Sequence, residues 1–188
     1  VPTLVEVEQE ALGCTRCPLS QGRTTVVFGE GAADAGLMII GEGPGHDEDL
    51  QGRPFVGRSG RLLDRLLLEE MGLHRSAVYI ANVVKCRPPG NRDPLPDEIA
   101  ACGPWLQAQL ELIAPRVLLT LGNFSTKLLL RTTDGITKTR GRVYPFGQGA
   151  VLVPTYHPAA ALRGGGEVMA GMRADFVRAK EAMAVVAP

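Results

Sequence analysis

The chain has 188 residues, which suits one domain with a sizeable core, since globular units commonly run to about 100–200 residues. Its 20 basic and 20 acidic residues cancel, so global charge does not mark a nucleic-acid binder, although a local basic face would still serve one. No apolar run approaches the roughly 18 residues of a membrane span, and Val1 to Glu6 lack a basic segment followed by an apolar one, so a cytoplasmic protein with no membrane partner is expected.

In chain order, Leu4, Val5, Val7, Ala11 and Leu12 are spaced for an amphipathic helix that stops at Gly13. Cys14-Thr15-Arg16-Cys17-Pro18 comes next. Thr25 to Phe28 reads as a short strand stopped by Gly29-Glu30-Gly31, and Leu37 to Ile40 as a central strand. A long loop runs from Gly41 to Gly60, after which Ser59 caps a predicted helix to Met71 with Gly72 as its stop. Val78 to Val84 is the next buried strand. Lys85 to Pro96 holds too many prolines for helix or central strand and reads as a rigid, extended loop. A helix from about Asp97 to Ile113, a strand at Val117–Leu121 and a short helix through Leu130 come after it. Residues 131–150 look like a basic hairpin, Ala150–Thr155 is a last strand, and a closing helix spans about Glu167 to Ala184.

Four apolar strands separated by helices predict a three-layer α/β/α sandwich with a central four-stranded, mostly parallel sheet, in one domain over residues 1–188. Such a sheet gathers the residues just past its strand ends along one edge. Glu42, Asn82, Asn123 and His157 all stand there. Candidates for a basic face are Arg131, Lys138, Arg140 and Arg142, or Arg163, Arg173 and Arg178.

Cys14 and Cys17 place two thiols on one turn, while Cys86 and Cys102 flank the Pro-rich loop. A reducing compartment argues against disulfides. Four thiolates suit either tetrahedral zinc or a [4Fe–4S] cluster. Spacing alone favours zinc, although the distant third cysteine matches no common zinc-finger pattern. Gly41-Glu42-Gly43-Pro44-Gly45-His46 fails as a dinucleotide fingerprint, because His46 stands where the third glycine belongs. No P-loop motif is present. Asn82 ends a buried strand with an amide that both donates and accepts, which suits a pyrimidine edge.

These residues carry a resemblance. Gly41-Glu42-Gly43-Pro44-Gly45 through Glu48-Asp49 to Gly52-Arg53-Pro54-Phe55-Val56-Gly57, then Asn82 to Pro89, then His157-Pro158-Ala159, with the four cysteines, resembles family 4 uracil-DNA glycosylases. These are iron–sulfur enzymes of thermophilic bacteria and archaea. Gly43 departs from the alanine commoner in the family, and Glu42 distinguishes the chain from family 5. The resemblance implies a structural [4Fe–4S] cluster on Cys14, Cys17, Cys86 and Cys102, which displaces zinc, and no metal for the chemistry itself. It implies a monomer that flips uracil out of single- or double-stranded DNA and hydrolyses its N-glycosidic bond, starting base excision repair. Phe55 would stack on the base, Asn82 read it, Glu48 exclude the thymine methyl, and His157 and Glu42 serve catalysis, with Gly43 near the base. Ser59 and Gly60 would contact phosphate, and Leu162 or Arg163 would fill the gap left by the flipped base. The other readings are a family 5-like glycosylase of broader substrate range, and a non-catalytic iron–sulfur or zinc module that binds nucleic acid.

Overall fold

The computed structural model describes residues 1–186. In chain order the elements are α1 (Leu4–Ala11), α2 (Leu19–Gly22), β1 (Glu30–Gly31), β2 (Leu37–Gly41), α3 (His46–Gln51), α4 (Arg58–Leu66), β3 (Tyr79–Asn82), α5 (Pro96–Ile113), β4 (Val117–Leu121), α6 (Asn123–Leu130), α7 (Ile136–Thr139), β5 (Tyr144–Phe146), β6 (Ala150–Thr155), α8 (Pro158–Gly164) and α9 (Gly166–Val185).

The sheet order is β1-β3-β2-β4-β6-β5. Its four central strands are parallel, as expected, and the two edge strands pair antiparallel. The sheet therefore has six strands rather than four. The correction concerns short edges: β1 has two residues and β5 three, and neither is an apolar run. Thr25 to Phe28, expected as a strand, is buried chain with a backbone hydrogen bond from Val27 N to Lys85 O at 2.7 Å and no strand ladder.

Alternation along β2 shows how the layers form, because neighbouring strand residues point to opposite faces. Met38 and Ile40 pack with Val7, Ala11, Trp105 and Leu106 of α1 and α5. Leu37 and Ile39 pack with Leu63, Leu66, Met172 and Phe176 of α4 and α9. Both faces are covered, which is why the central strands are apolar without a polar register.

Four local expectations change. The Gly41–Gly60 loop contains α3, and Gly57 rather than Ser59 caps α4, leaving Ser59 in its first turn. The helix after α4 continues as a π-helical stretch, Leu67–Met71, before Gly72 ends it in the left-handed conformation. The segment after His157 is the helix α8. Residues 131–150 do not form a hairpin of their own: they hold α7 and the single strand β5, which pairs antiparallel with β6.

Asp175 of α9 is fully buried and fixes the end of β6. Its carboxylate accepts from Thr155 Oγ1 at 2.8 Å, from Arg140 Nε at 2.9 Å and Nη2 at 3.0 Å, and from Arg178 Nη1 at 3.0 Å. Removing one member of a buried ion pair strands the others, at a cost of about 3 kcal/mol or more. Asp175→Ala is expected to lower the urea midpoint accordingly, whereas Lys138→Ala, which removes an exposed i,i+4 pair with Asp134, should shift it by less than about 0.5 kcal/mol equivalent.

Candidate active site

The site begins where β2 and β3 end side by side. Gly41 is in register with Asn82, and Val83 N and Val84 N then donate to Gly41 O and Glu42 O at 2.9 and 3.1 Å. A Cβ on Gly41 would lie 2.5 Å from Phe55 Cζ and 2.6 Å from Asn82 Oδ1. Only glycine lets the ring and the amide meet there. Asn82 is 2% exposed, and its Oδ1 has no hydrogen-bond partner among the described residues. A buried acceptor left unpaired costs about 1–3 kcal/mol, so this oxygen is an open acceptor that no donor among the described residues satisfies. Its backbone is anchored by Lys85, whose buried ammonium donates to Asn82 O at 2.8 Å and Gln109 Oε1 at 2.6 Å. Burial lowers the Lys85 pKa to about 7.

Phe55 is buried against this floor in a left-handed conformation, φ 50°, which costs a non-glycine residue about 1 kcal/mol or more. Three sets of contacts impose it. The Glu48 carboxylate accepts from Gly45 N, Val56 N and Gly57 N at 3.0, 2.9 and 2.9 Å. Arg75 donates to Phe55 O at 2.8 Å and Pro54 O at 2.6 Å. Gly60 is buried beneath: a Cβ there would fall 1.9 Å from Phe55 O. Gly60 therefore packs its backbone against Phe55, in the first turn of α4 and outside the set of residues that line the cavity. Gly43 is likewise tight, for an added Cβ would meet Val84 Cγ2 at 2.7 Å.

His157 caps α8, and its Nδ1 accepts from Ala159 N at 3.1 Å. The remaining ring hydrogen therefore sits on Nε2, a tautomer assigned from this hydrogen bond. Burial, and secondarily the Arg163 charge, lower its pKa to about 4. The imidazole is neutral near pH 7, a donor without a formal charge. Its centroid lies 6.0 Å from that of Phe55, tilted by 34°. Glu42 behaves oppositely: burial, then repulsion from Asp93, raises its pKa to about 7.

Glu42, Gly43, Glu48 and Phe55 line one cavity of about 680 Å³ with Ser59, Asn82, His157 and Arg163. This volume falls in the range of about 300–1,000 Å³ usual for ligand sites. Leu162, 41% exposed, lies outside it, in a neighbouring groove. Asn123 lines the cavity, but its amide oxygen accepts from Ile136 N at 2.8 Å and anchors α7. Sequence reasoning did not single out Asn91 and Asp93 of the Pro-rich loop, which line the cavity, or Arg75, which clamps it. The loop's rigidity was visible, but nothing in its pattern said which side chains face inward.

The four cysteines are free thiols lining a separate small cavity with Arg16, Arg23, Lys85 and Trp105. N–H donors are aimed at three sulfurs: Trp105 Nε1 to Cys14 at 3.4 Å, Arg23 Nη1 to Cys86 at 3.5 Å, and Lys85 N to Cys102 at 3.2 Å. Among the described residues no three His, Cys, Asp or Glu side chains converge as the ligands of a single ion would.

A cavity beyond the carboxyl ends of parallel strands, with an aromatic wall, an unpaired amide oxygen and a neutral imidazole, is where α/β proteins of this class bind small polar ligands. Residues 28–182 match the family model for the uracil DNA glycosylase superfamily, and the chain belongs to that superfamily. Relatives include type-4 uracil-DNA glycosylases of Thermotoga maritima, 49% identical over 85% of this chain and 84% of the relative, and of Sulfurisphaera tokodaii, 47% identical over 85% and 76%. Another, from Saccharolobus solfataricus, is 45% identical over 94% and 85%.

The imidazole assignment has a direct check. Long-range proton–nitrogen spectra are expected to show His157 as the Nε2–H tautomer, titrating near 4 rather than near the ordinary 6.5. Between those values the unfolded chain binds a proton that the folded one does not, so His157 makes the fold lose stability as pH falls through that window. An Nδ1–H tautomer would remove the cap and the donor role together.

Proposed function

We propose that the chain is a uracil-DNA glycosylase that flips uracil from DNA into the cavity and hydrolyses its N-glycosidic bond, leaving an abasic site. The observation that carries this reading is the unpaired Asn82 Oδ1 at the cavity floor. Uracil supplies the missing donor, N3–H, while the Asn82 NH2 donates to O4. Cytosine presents an acceptor at N3 and a donor at the exocyclic position, the wrong pattern on both counts. Extraction of the base costs a few kcal/mol in lost stacking and pairing, which stacking on Phe55 helps to offset.

Cleavage puts negative charge on the departing base and positive character on the sugar. His157 Nε2–H donates to O2, and one preorganised donor of this kind is worth roughly 3–4 kcal/mol. Glu42 faces the sugar, orients water as a base and stabilises the cationic sugar electrostatically. Glu48 acts by holding Gly45, Val56 and Gly57, and through them Phe55, in place, as well as by crowding the position of a C5 methyl. Ser59 and Arg163 meet the flanking phosphates.

Cys14, Cys17, Cys86 and Cys102 would hold a [4Fe–4S] cluster, with the three N–H···S donors suited to thiolate ligands. Burial pushes the Cys86 thiol up and Cys102 to about 11, so ionised sulfurs require a compensating positive charge at that spot. Such a cluster supplies a structural cross-link between the N-terminal segment and the ends of the Pro-rich loop. The protein acts as a monomer in the cytoplasm of a thermophile, on single or double strands.

Oligonucleotides with one uracil, treated with protein and then alkali, should break at that position; intact strands from both U:G and single-stranded substrates sink the reading. Asn82→Asp should admit some cytosine. With Glu42 acting ionised, the single-turnover rate should rise with pH to a midpoint near 7 and level off above it, and Glu42→Gln should lower the rate and erase that limb; a flat wild-type profile would contradict the base role. The purified protein should be brown with absorbance near about 400 nm, and a colourless preparation with stoichiometric zinc would reject the cluster.

A further inference from the structure

Beside the uracil cavity lies a second groove of about 270 Å³ between α4 and α8, lined by Arg58, Arg61, Leu62, Arg65, Leu162 and Met169. The two depressions share a wall. Arg163 faces the cavity, its neighbour Leu162 faces the groove, and Ser59 in the first turn of α4 opens on the cavity between Arg58 and Arg61.

The arginines are ordered. At about 3.6 residues per turn, positions 58, 61 and 65 fall within roughly a 60° arc of α4, and at about 1.5 Å per residue they span about 10 Å. All three are exposed. Among the described residues neither Arg58 nor Arg61 has an ion-pair partner, and Arg65 meets only the half-exposed Glu69 at 3.3 Å. Arginines that bond neighbouring acidic residues are already paired: Arg173 bonds Glu69 and Glu70 at 2.8 and 2.6 Å, and the largely buried Arg75 bonds Glu30 and Asp64. In a chain whose net charge is zero, unpaired cations in a row on one helix face are a local positive strip that ends at the acidic pair Glu69–Glu70.

We propose that Arg58, Arg61 and Arg65 form a rail for the phosphates of the DNA strand as it leaves the uracil cavity, an inference that rests on the uracil-DNA reading above. One strand carries a phosphate about every 3.4 Å of duplex axis, so a span of about 10 Å matches about three of them. The rail starts at the cavity mouth, which fixes its register relative to the flipped nucleotide. Arg58 and Arg61 are free to engage at once. Arg65 shares its charge with Glu69 and contributes less.

Counterion release gives this rail a signature that does not depend on catalysis. Binding of the full chain to a short uracil-free duplex, followed by fluorescence anisotropy between about 50 and 200 mM salt, has a log–log slope of about −0.9 per neutralised phosphate. The R58Q/R61Q double variant is expected to flatten that slope by about 1.8, and R65Q by less than one of its neighbours. R58K/R61K, which keeps both charges, should retain the wild-type slope. Lys180→Gln, on the distant half of α9, should also leave it unchanged. An unchanged slope in R58Q/R61Q overturns the rail and leaves the strip to an acidic protein partner. A loss of equal size per charge in Lys180→Gln reduces the effect to net charge and overturns it too, as does loss of slope in the lysine variant. Failure of the wild-type chain to excise uracil overturns the functional reading instead, so the two failures are separable.

Discussion

Everything at the candidate site depends on the close approach of three groups at the carboxyl end of β2. Gly41 has no side chain, and the Phe55 ring and the Asn82 amide occupy the space that a Cβ would take. The same register that pairs Gly41 with Asn82 sets the two outgoing loops next to one another, so Glu42 and the Asn82 amide issue from adjacent strands. Parallel pairing does this without cost to the core, because Leu37 to Ile40 are buried on both faces whichever side chains the outgoing loop carries. The unpaired amide oxygen carries a desolvation cost in the free protein, and in the proposed function the N3–H of uracil would offset it.

A ring wall is useful only if it does not yield, and Phe55 is held by groups remote from it in sequence. Its left-handed backbone is compatible with Arg75 on its carbonyl, Gly60 beneath it and the Glu48 carboxylate on the two succeeding amides. Glu48 therefore joins two tasks. A carboxylate that accepts from Gly45, Val56 and Gly57 is fixed in position, and a fixed carboxylate is a sharper steric boundary than a mobile one.

The parallel core was legible because its strands are apolar runs of four to six residues bounded by glycine, proline or asparagine, and the convergence of Glu42, Asn82 and His157 came from strand ends alone. The edge strands were not legible, because β1 is Glu30-Gly31 and β5 is Tyr144-Pro145-Phe146, sequences that pair through backbone and carry no periodicity. The helix α8 was missed for a related reason. Its seven residues, Pro158-Ala159-Ala160-Ala161-Leu162-Arg163-Gly164, start with a proline that reads equally as a turn, and His157 serves as cap through Nδ1, which the usual Ser, Thr, Asp and Asn signals do not include. Ser59 failed as a cap in the opposite sense: the residue type was right, and Gly57 held the position.

The two cavities are mechanically joined through Lys85 and the Pro-rich loop. Lys85 reaches back with its ammonium to the carbonyl of Asn82, while its own amide points at Cys102 and its neighbour is Cys86. On the far side of the loop the Arg92–Glu98 ion pair ties the chain to the first turn of α5, where Glu98 is 3% exposed. Between these anchors Asn91, Arg92 and Asp93 are presented to the cavity beyond β2 and β3, and Asp93 is one cause of the raised Glu42 pKa. A loop whose only regular structure is the 3-10 turn Pro89–Asn91 can set a neighbour's ionisation only if it holds still. Here the prolines within it, the Arg92–Glu98 ion pair at one end and the cysteine-lined packing at the other all restrain it, so the cysteine site and the Glu42 cavity share one loop.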